Sequence, residues 1–158
     1  MDANNRGYLM LIGGHEDIDD RCELLKLLIQ LSGAAEGELV ICTAATEEQE
    51  TTARRYRDVF RRLGVSELSI LCLRDRSDAD DTSNHRMLQK AACLFFTGGD
   101  QVRITSLLGG SRLDELMHRC YRKGMMVAGT SAGASVMSDA MMVSGRGDDA
   151  PRTGMATI

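Results

Sequence analysis

The sequence predicts a three-layer α/β/α fold with a mostly parallel central sheet, carrying a nucleophile elbow at one strand-to-helix turn. Three observations lead there. Short apolar runs alternate with longer amphipathic ones, as strands joined by crossover helices require. The runs are continuously apolar rather than alternating, as befits strands covered on both faces. The fifth run leads directly into Gly-x-Ser-x-Gly at Gly129, Ser131 and Gly133. With 158 residues, a single domain buries about 70% of the surface its unfolded chain exposes, so one core spanning 1–158 needs no disulfide or metal.

Tyr8 to Ile12 forms the first strand, ended by Gly13-Gly14. Cys22 to Leu31 follows with Leu24, Leu25, Leu27, Leu28 and Leu31 at helical spacing and Gly33 as its stop. Leu39 to Cys42 is the second strand. Thr46-Glu47-Glu48-Gln49 has the form of a capping box, predicting a helix through Tyr56, Val59, Phe60 and Leu63 to Gly64. Leu68 to Leu73 is the third strand, and Arg74 to Asn84 a polar, solvated loop whose Asp78, Asp80 and Asp81 favour no metal role. A short helix over His85 to Ala91 precedes the fourth strand, Cys93 to Phe96, broken by Gly98-Gly99. Asp100 caps a helix with Ile104, Leu107 and Leu108 that ends at Gly109-Gly110; Ser111 with Asp114 starts another bearing Leu113, Leu116, Met117 and Tyr121. Met125 to Ala128 is the fifth strand, and the turn after it enters an apolar helix with Ala134, Val136, Met137, Ala140 and Met141.

Composition narrows the function classes. Lys+Arg 19 against Asp+Glu 23 gives a net charge of −4 without basic clusters, so no nucleic acid and no membrane surface is expected as partner. The polar start, Met1 to Arg6, lacks the form of a secretory signal, and the expected location is cytoplasmic. The five cysteines, Cys22, Cys42, Cys72, Cys93 and Cys120, are widely spaced with no Cys-x-x-Cys pair and read as buried thiols. Neither metal nor cofactor is expected.

In a parallel sheet, ligands bind at the carboxyl ends of the strands. Three loops stand out there: Gly13 to Asp17, Thr97 to Gln101, and Gly129 to Ala134. A serine on a sharp strand-to-helix turn exposes its hydroxyl above the sheet, and glycines two positions either side avoid Cβ clashes with adjoining backbone. The amide of Ala132 can then face a developing oxyanion, with Gly98-Gly99 offering a second donor. The alternative for this turn is phosphate binding. No P-loop lysine follows it, however, and Gly-x-Gly-x-x-Gly is missing after the first strand.

These motifs resemble the serine peptidase family that contains cyanophycinase and the aspartyl dipeptidases. The resemblance rests on Leu11-Ile12-Gly13-Gly14 with Glu16-Asp17, on Phe96 to Gln101 with Arg103-Ile104, and on Gly129 to Ala134 with Val136 to Asp139. The cyanophycinases are the more similar branch, through Gly98 to Gln101 and Asp149-Ala150-Pro151-Arg152. What the resemblance implies is an exopeptidase releasing β-Asp-Arg from cyanophycin, a polyaspartate bearing arginines on its side chains. An α-aspartyl dipeptide is the other substrate. By the same resemblance Ser131 is the nucleophile, Gly99 and Ala132 supply the oxyanion hole, Gln101 binds substrate, and Asp149 stands where the family has an acidic triad member, usually glutamate. A homodimer is implied.

A serine nucleophile needs a base. In the family it is a histidine downstream of the elbow, so the resemblance implies that this chain is an N-terminal portion whose base lies beyond Ile158. Of the histidines present, His85 and His118 read as solvated, and His15 opens onto the same sheet edge as Ser131. A non-catalytic module that keeps the sheet but lacks the base is the reading from another class.

Overall fold

The computed structural model describes residues 6–144 and 152–155. Five parallel strands form the sheet: β1 (Leu9–Ile12), β2 (Glu38–Cys42), β3 (Leu68–Leu71), β4 (Ala91–Phe96) and β5 (Met126–Thr130), in the order β1-β5-β4-β2-β3. The helices between them are α1 (Glu23–Ser32), α2 (Gln49–Arg62), α3 (Thr82–Lys90), α4 (Gln101–Leu108) and α5 (Arg112–Arg122), followed by the single turn α6 (Ala132–Ser135). A right-handed crossover puts its helix on a face set by the direction of travel. The chain moves outward from β1 through β2 to β3 and then returns to β4 and β5. So α1 and α2 cover one face, and α3 to α6 the other.

The central strands alternate accordingly. Leu39, Ile41, Cys93, Phe95, Met126 and Ala128 meet α1 and α2. Val40, Cys42, Leu94, Phe96 and Val127 meet the opposite layer. On the first face Tyr56 and Phe60 of α2 pack on Phe95, with ring centroids 5.1 and 5.5 Å away. β1 is an edge strand, and its outward residues Leu9 and Leu11 are exposed. None of the described helices is long and apolar enough to cross a membrane.

The terminators act as the sequence predicts. Gly33 ends α1 in the left-handed region at φ 69°, the Asp100 carboxylate accepts from the Val102 amide, and the Ser111 hydroxyl accepts from the Asp114 amide.

Several local expectations are corrected. No capping box forms at Thr46: its hydroxyl accepts from the Glu48 amide, and α2 starts at Gln49, whose side chain turns inward. There Gln49 Oε1 accepts from Thr43 Oγ1 and from the Leu73 amide, while Nε2 donates to the Leu73 carbonyl. These buried groups outcompete the helix end for the amide. The polar stretch 74–84 is not a plain loop. Asp75 and Asp78 cap a 3₁₀ turn (Arg76–Asp80), and the Asp81 cap starts α3 at Thr82, before the predicted start at His85. His85 is half-buried, its Nε2 2.8 Å from the Ala79 carbonyl oxygen.

The apolar helix expected after the elbow is also corrected. It stops after one turn, and Ala140 and Met141 belong to β6 (Ala140–Ser144), which pairs antiparallel with β7 (Arg152–Met155). The Ser138 hydroxyl donates to the carbonyls of Ser135 and Ala140, which closes the turn. Of the cysteines, Cys22, Cys42 and Cys93 are buried as expected, but Cys72 and Cys120 are half-exposed.

Candidate active site

Sheet order decides which loops meet. β5 lies between β1 and β4, so the turn at Ser131 is flanked by the loops after both strands. A Cβ added to Gly14 would stand 3.4 Å from Ser131 Cβ, and one added to Gly98 would stand at the same distance. The three loops singled out in the sequence are therefore one site. β1 leads to α1 on one face and β5 to α6 on the other, and a crevice opens where neighbouring connections diverge in this way. It holds a cleft of about 250 Å³ lined by Gly14, His15, Tyr56, Gly98 and Ser131, with Arg55 at its rim.

Ser131 is exposed and sits at φ 52°, ψ −113°, a backbone conformation that L-residues rarely adopt. Its surroundings hold it there. Its amide donates to the Ile12 carbonyl at 2.9 Å, and its own carbonyl accepts from the amides of Ala134 and Ser135, each at 3.0 Å. The glycines of the motif let α6 sit directly on the sheet. A Cβ on Gly129 would fall 2.4 Å from the Gly133 carbonyl oxygen, and one on Gly133 would fall 2.4 Å from that of Phe96. Ala132 is the first residue of α6, a position whose amide has no intrahelical acceptor.

Gly99 has φ 145°, and a Cβ there would lie 2.3 Å from the Ala45 carbonyl oxygen, which also accepts from the Asp100 amide at 2.8 Å. The Thr97 to Gln101 loop is thereby pinned against the end of β2. Gln101 is half-buried, and its Nε2 donates to the Met142 carbonyl of β6 at 2.8 Å, tying α4 to the hairpin. Asp149 lies outside the described residues. His15 is exposed at φ 54° in the cleft with Ser131. His118 is remote from it on α5, its Nε2 3.6 Å from Asp114 Oδ1.

The loop after β1 is knotted by Asp17. Its carboxylate accepts from the amides of Asp19, Asp20, Arg21 and Cys22, and these bonds, that from Asp20 foremost, hold it down to about 2. Beside it, Glu16 accepts from Tyr56 and from Thr130, a cluster that sequence reasoning missed. The available signal was Tyr56 itself, because a tyrosine on the buried face of a helix needs a partner for its hydroxyl. Burial, then the bond to Glu16, pushes the Tyr56 phenol well above its ordinary range. Among the described residues no group of three or more His, Cys, Asp or Glu is placed to hold a metal ion.

A larger, charged cleft of about 580 Å³ lies by the ends of β2 and β3 and includes Glu47, Glu50, Arg74 and Arg103. Its ion pairs, Arg74–Glu50 and Arg103–Glu47, are solvent-exposed on at least one side and contribute little.

Residues 9–155 match the sequence profile of peptidase family S51. The cyanophycinase of Synechococcus elongatus is 32% identical over 157 residues, covering 99% of this chain and 49% of that protein. The cyanophycinase of Geminocystis herdmanii is 30% identical over 154 residues, covering 97% and 57%. The chain thus spans about half the length of the curated relatives it matches. Among solved structures, a peptidase from an acI-B1 Actinobacterium superposes with TM-score 0.72 at 30% identity, over 87% of this chain and 59% of that one. A putative peptidase E from Listeria monocytogenes, 21% identical with TM-score 0.61 over 85% and 63%, shares the fold.

Proposed function

The chain belongs to peptidase family S51, and from that premise we propose that it is the nucleophile-bearing portion of a serine-type peptidase that cleaves cyanophycin to β-Asp-Arg. The observation that carries the proposal is the strained backbone of Ser131, held at a strand-to-helix turn between two glycine loops. The substrate is favoured by the relatives, which are cyanophycinases at 30–32% identity. An α-aspartyl dipeptide is the runner-up.

In this reading Ser131 Oγ attacks the scissile carbonyl carbon and gives its proton to a base. The tetrahedral oxyanion accepts from the amides of Ala132 and Gly99, each donor contributing about 10² to 10³ in rate. Collapse expels the amine, which takes the proton, and water hydrolyses the acyl-enzyme by the reverse sequence. Gln101 contacts the substrate and would exchange its bond with Met142 to do so. Asp149 orients the base. The base itself is proposed to be a histidine from a further segment, for which the greater length of the relatives leaves room. A homodimer and a cytoplasmic location are proposed on the family resemblance.

Ser131→Ala in the complete protein should abolish dipeptide release from cyanophycin, and undiminished release would refute the assignment. Faster hydrolysis of Asp-X dipeptides than of cyanophycin would transfer the reading to the dipeptidase, and no hydrolysis of either would favour a non-catalytic module.

A further inference from the structure

We propose that Glu16 is a positioning residue for the nucleophile, acting through the hydroxyl of Thr130; this rests on the reading of Ser131 as that nucleophile. The two oxygens of Glu16 are divided between two elements. Oε1 accepts from the Tyr56 hydroxyl of α2 at 2.5 Å, and Oε2 accepts from Thr130 Oγ1 at the end of β5, also at 2.5 Å. Both donors are buried, Thr130 at 2% and Tyr56 at 9% exposure. Hydroxyl-to-carboxylate bonds of this length are among the stronger ones proteins make.

Thr130 immediately precedes Ser131, so whatever holds Thr130 sets the peptide that enters the strained turn. The main chain of Ser131 is already fixed by the Ile12 carbonyl before it and the α6 amides after it. Glu16 adds a side-chain hold at the remaining side, and it is itself held. The Asp17 knot fixes the adjoining backbone, and Tyr56 is anchored among Phe60 and Phe95 in the core. Three elements, the β1 loop, α2 and β5, are therefore joined at one carboxylate two residues from Gly14, which faces Ser131. Releasing Thr130 lets the peptide 130–131 relax, and a displacement of about 1 Å at a reacting atom is enough to cost about a hundredfold in rate.

The test uses the complete protein, with the segment proposed to carry the base, and a serine-directed fluorophosphonate, with the labelling rate of Ser131 as readout. Thr130→Val and Glu16→Gln should each slow labelling by between about ten- and a hundredfold, the range for losing a bond to a charged group. Thr130→Ser, which keeps the hydroxyl, should restore the wild-type rate, a rescue that a packing role would not produce. The double variant Glu16→Gln/Thr130→Val should be no slower than the slower single one, since both remove one interaction. Labelling of Thr130→Val at the wild-type rate overturns the proposal, as does equal slowing in Thr130→Ser. If the wild-type serine takes no label, the nucleophile reading fails by itself, and amide exchange decides the positioning role. Faster exchange at Ser131 and Ala132 in Thr130→Val, with β4 unchanged, supports the hold on the turn; unchanged exchange there overturns it.

Discussion

Replacing Gly133 by alanine would place a methyl group 2.4 Å from the Phe96 carbonyl oxygen and 2.7 Å from Phe96 Cβ. Ordinary contacts between such atoms lie near 3.5 Å, so α6 would have to retreat from the sheet by about 1 Å. Neither obstacle is a flexible side-chain end: one is β4 backbone, and the other is the first side-chain atom of a fully buried residue. Overpacking against atoms that cannot rotate away falls at the upper end of its usual cost, about 3 kcal/mol. For a chain of this size that lowers the thermal midpoint by about 6 to 12 °C. The matched control is Gly13→Ala, whose Cβ meets nothing within 4 Å and which should stay within about 0.5 kcal/mol of wild type. Thermal unfolding followed by circular dichroism measures both. A Gly133→Ala midpoint within about 2 °C of wild type would refute the claim that close approach of α6 to β4, rather than sequence habit, requires glycine there.

Gln49→Ala removes the partner of three buried groups, the Thr43 hydroxyl and the amide and carbonyl of Leu73. A loss of about 3 kcal/mol in urea unfolding is expected, and an effect below about 1 kcal/mol would mean that water replaces the amide. Burial pushes the thiols of Cys42 and Cys93 up to about 12, so iodoacetamide at pH 8 should leave both untouched in the folded protein. Label on either without denaturant, read by peptide mass spectrometry, would contradict this. The Asp17 carboxyl is lower in the folded chain, about 2, than its ordinary 3.8, so its contribution is full above pH 4 and lost as the pH falls toward 2. Asp17→Asn should therefore be less stable than wild type at pH 7 and show a smaller fall in midpoint between pH 5 and pH 2; equal falls would refute the role of the knot.

The fold was legible because its signals are local or periodic. Continuous apolar runs mark strands covered on both faces, and five such runs became five parallel strands. Gly33, Asp100 and Ser111 ended or began helices where backbone chemistry requires those residue types. The elbow was legible as a compact pattern: the sterics that demand Gly129 act within a few residues of Ser131, whereas those that demand Gly133 come from Phe96 of the facing β4 strand. Less legible was any choice made by a competing distant partner. Thr46 and Gln49 have the spacing of a capping box, but Gln49 has buried groups of Thr43 and Leu73 to satisfy, and no local pattern announces them. The single turn of α6 is a similar case, since the segment that followed it read as helix until β7 gave β6 a strand to pair with.

The sequence by itself therefore determined the layer architecture and the family, and it displayed the residue types at the strand ends, because these are read from spacing and motif. Tertiary structure alone decided which strand ends adjoin. Along the chain Gly14 and Ser131 are more than a hundred residues apart, with Gly98 between them, and only the order β1-β5-β4 brings them into contact. It also joined Glu16, Tyr56 and Thr130, because a hydrogen bond is made wherever packing brings donor and acceptor together, irrespective of their separation along the chain.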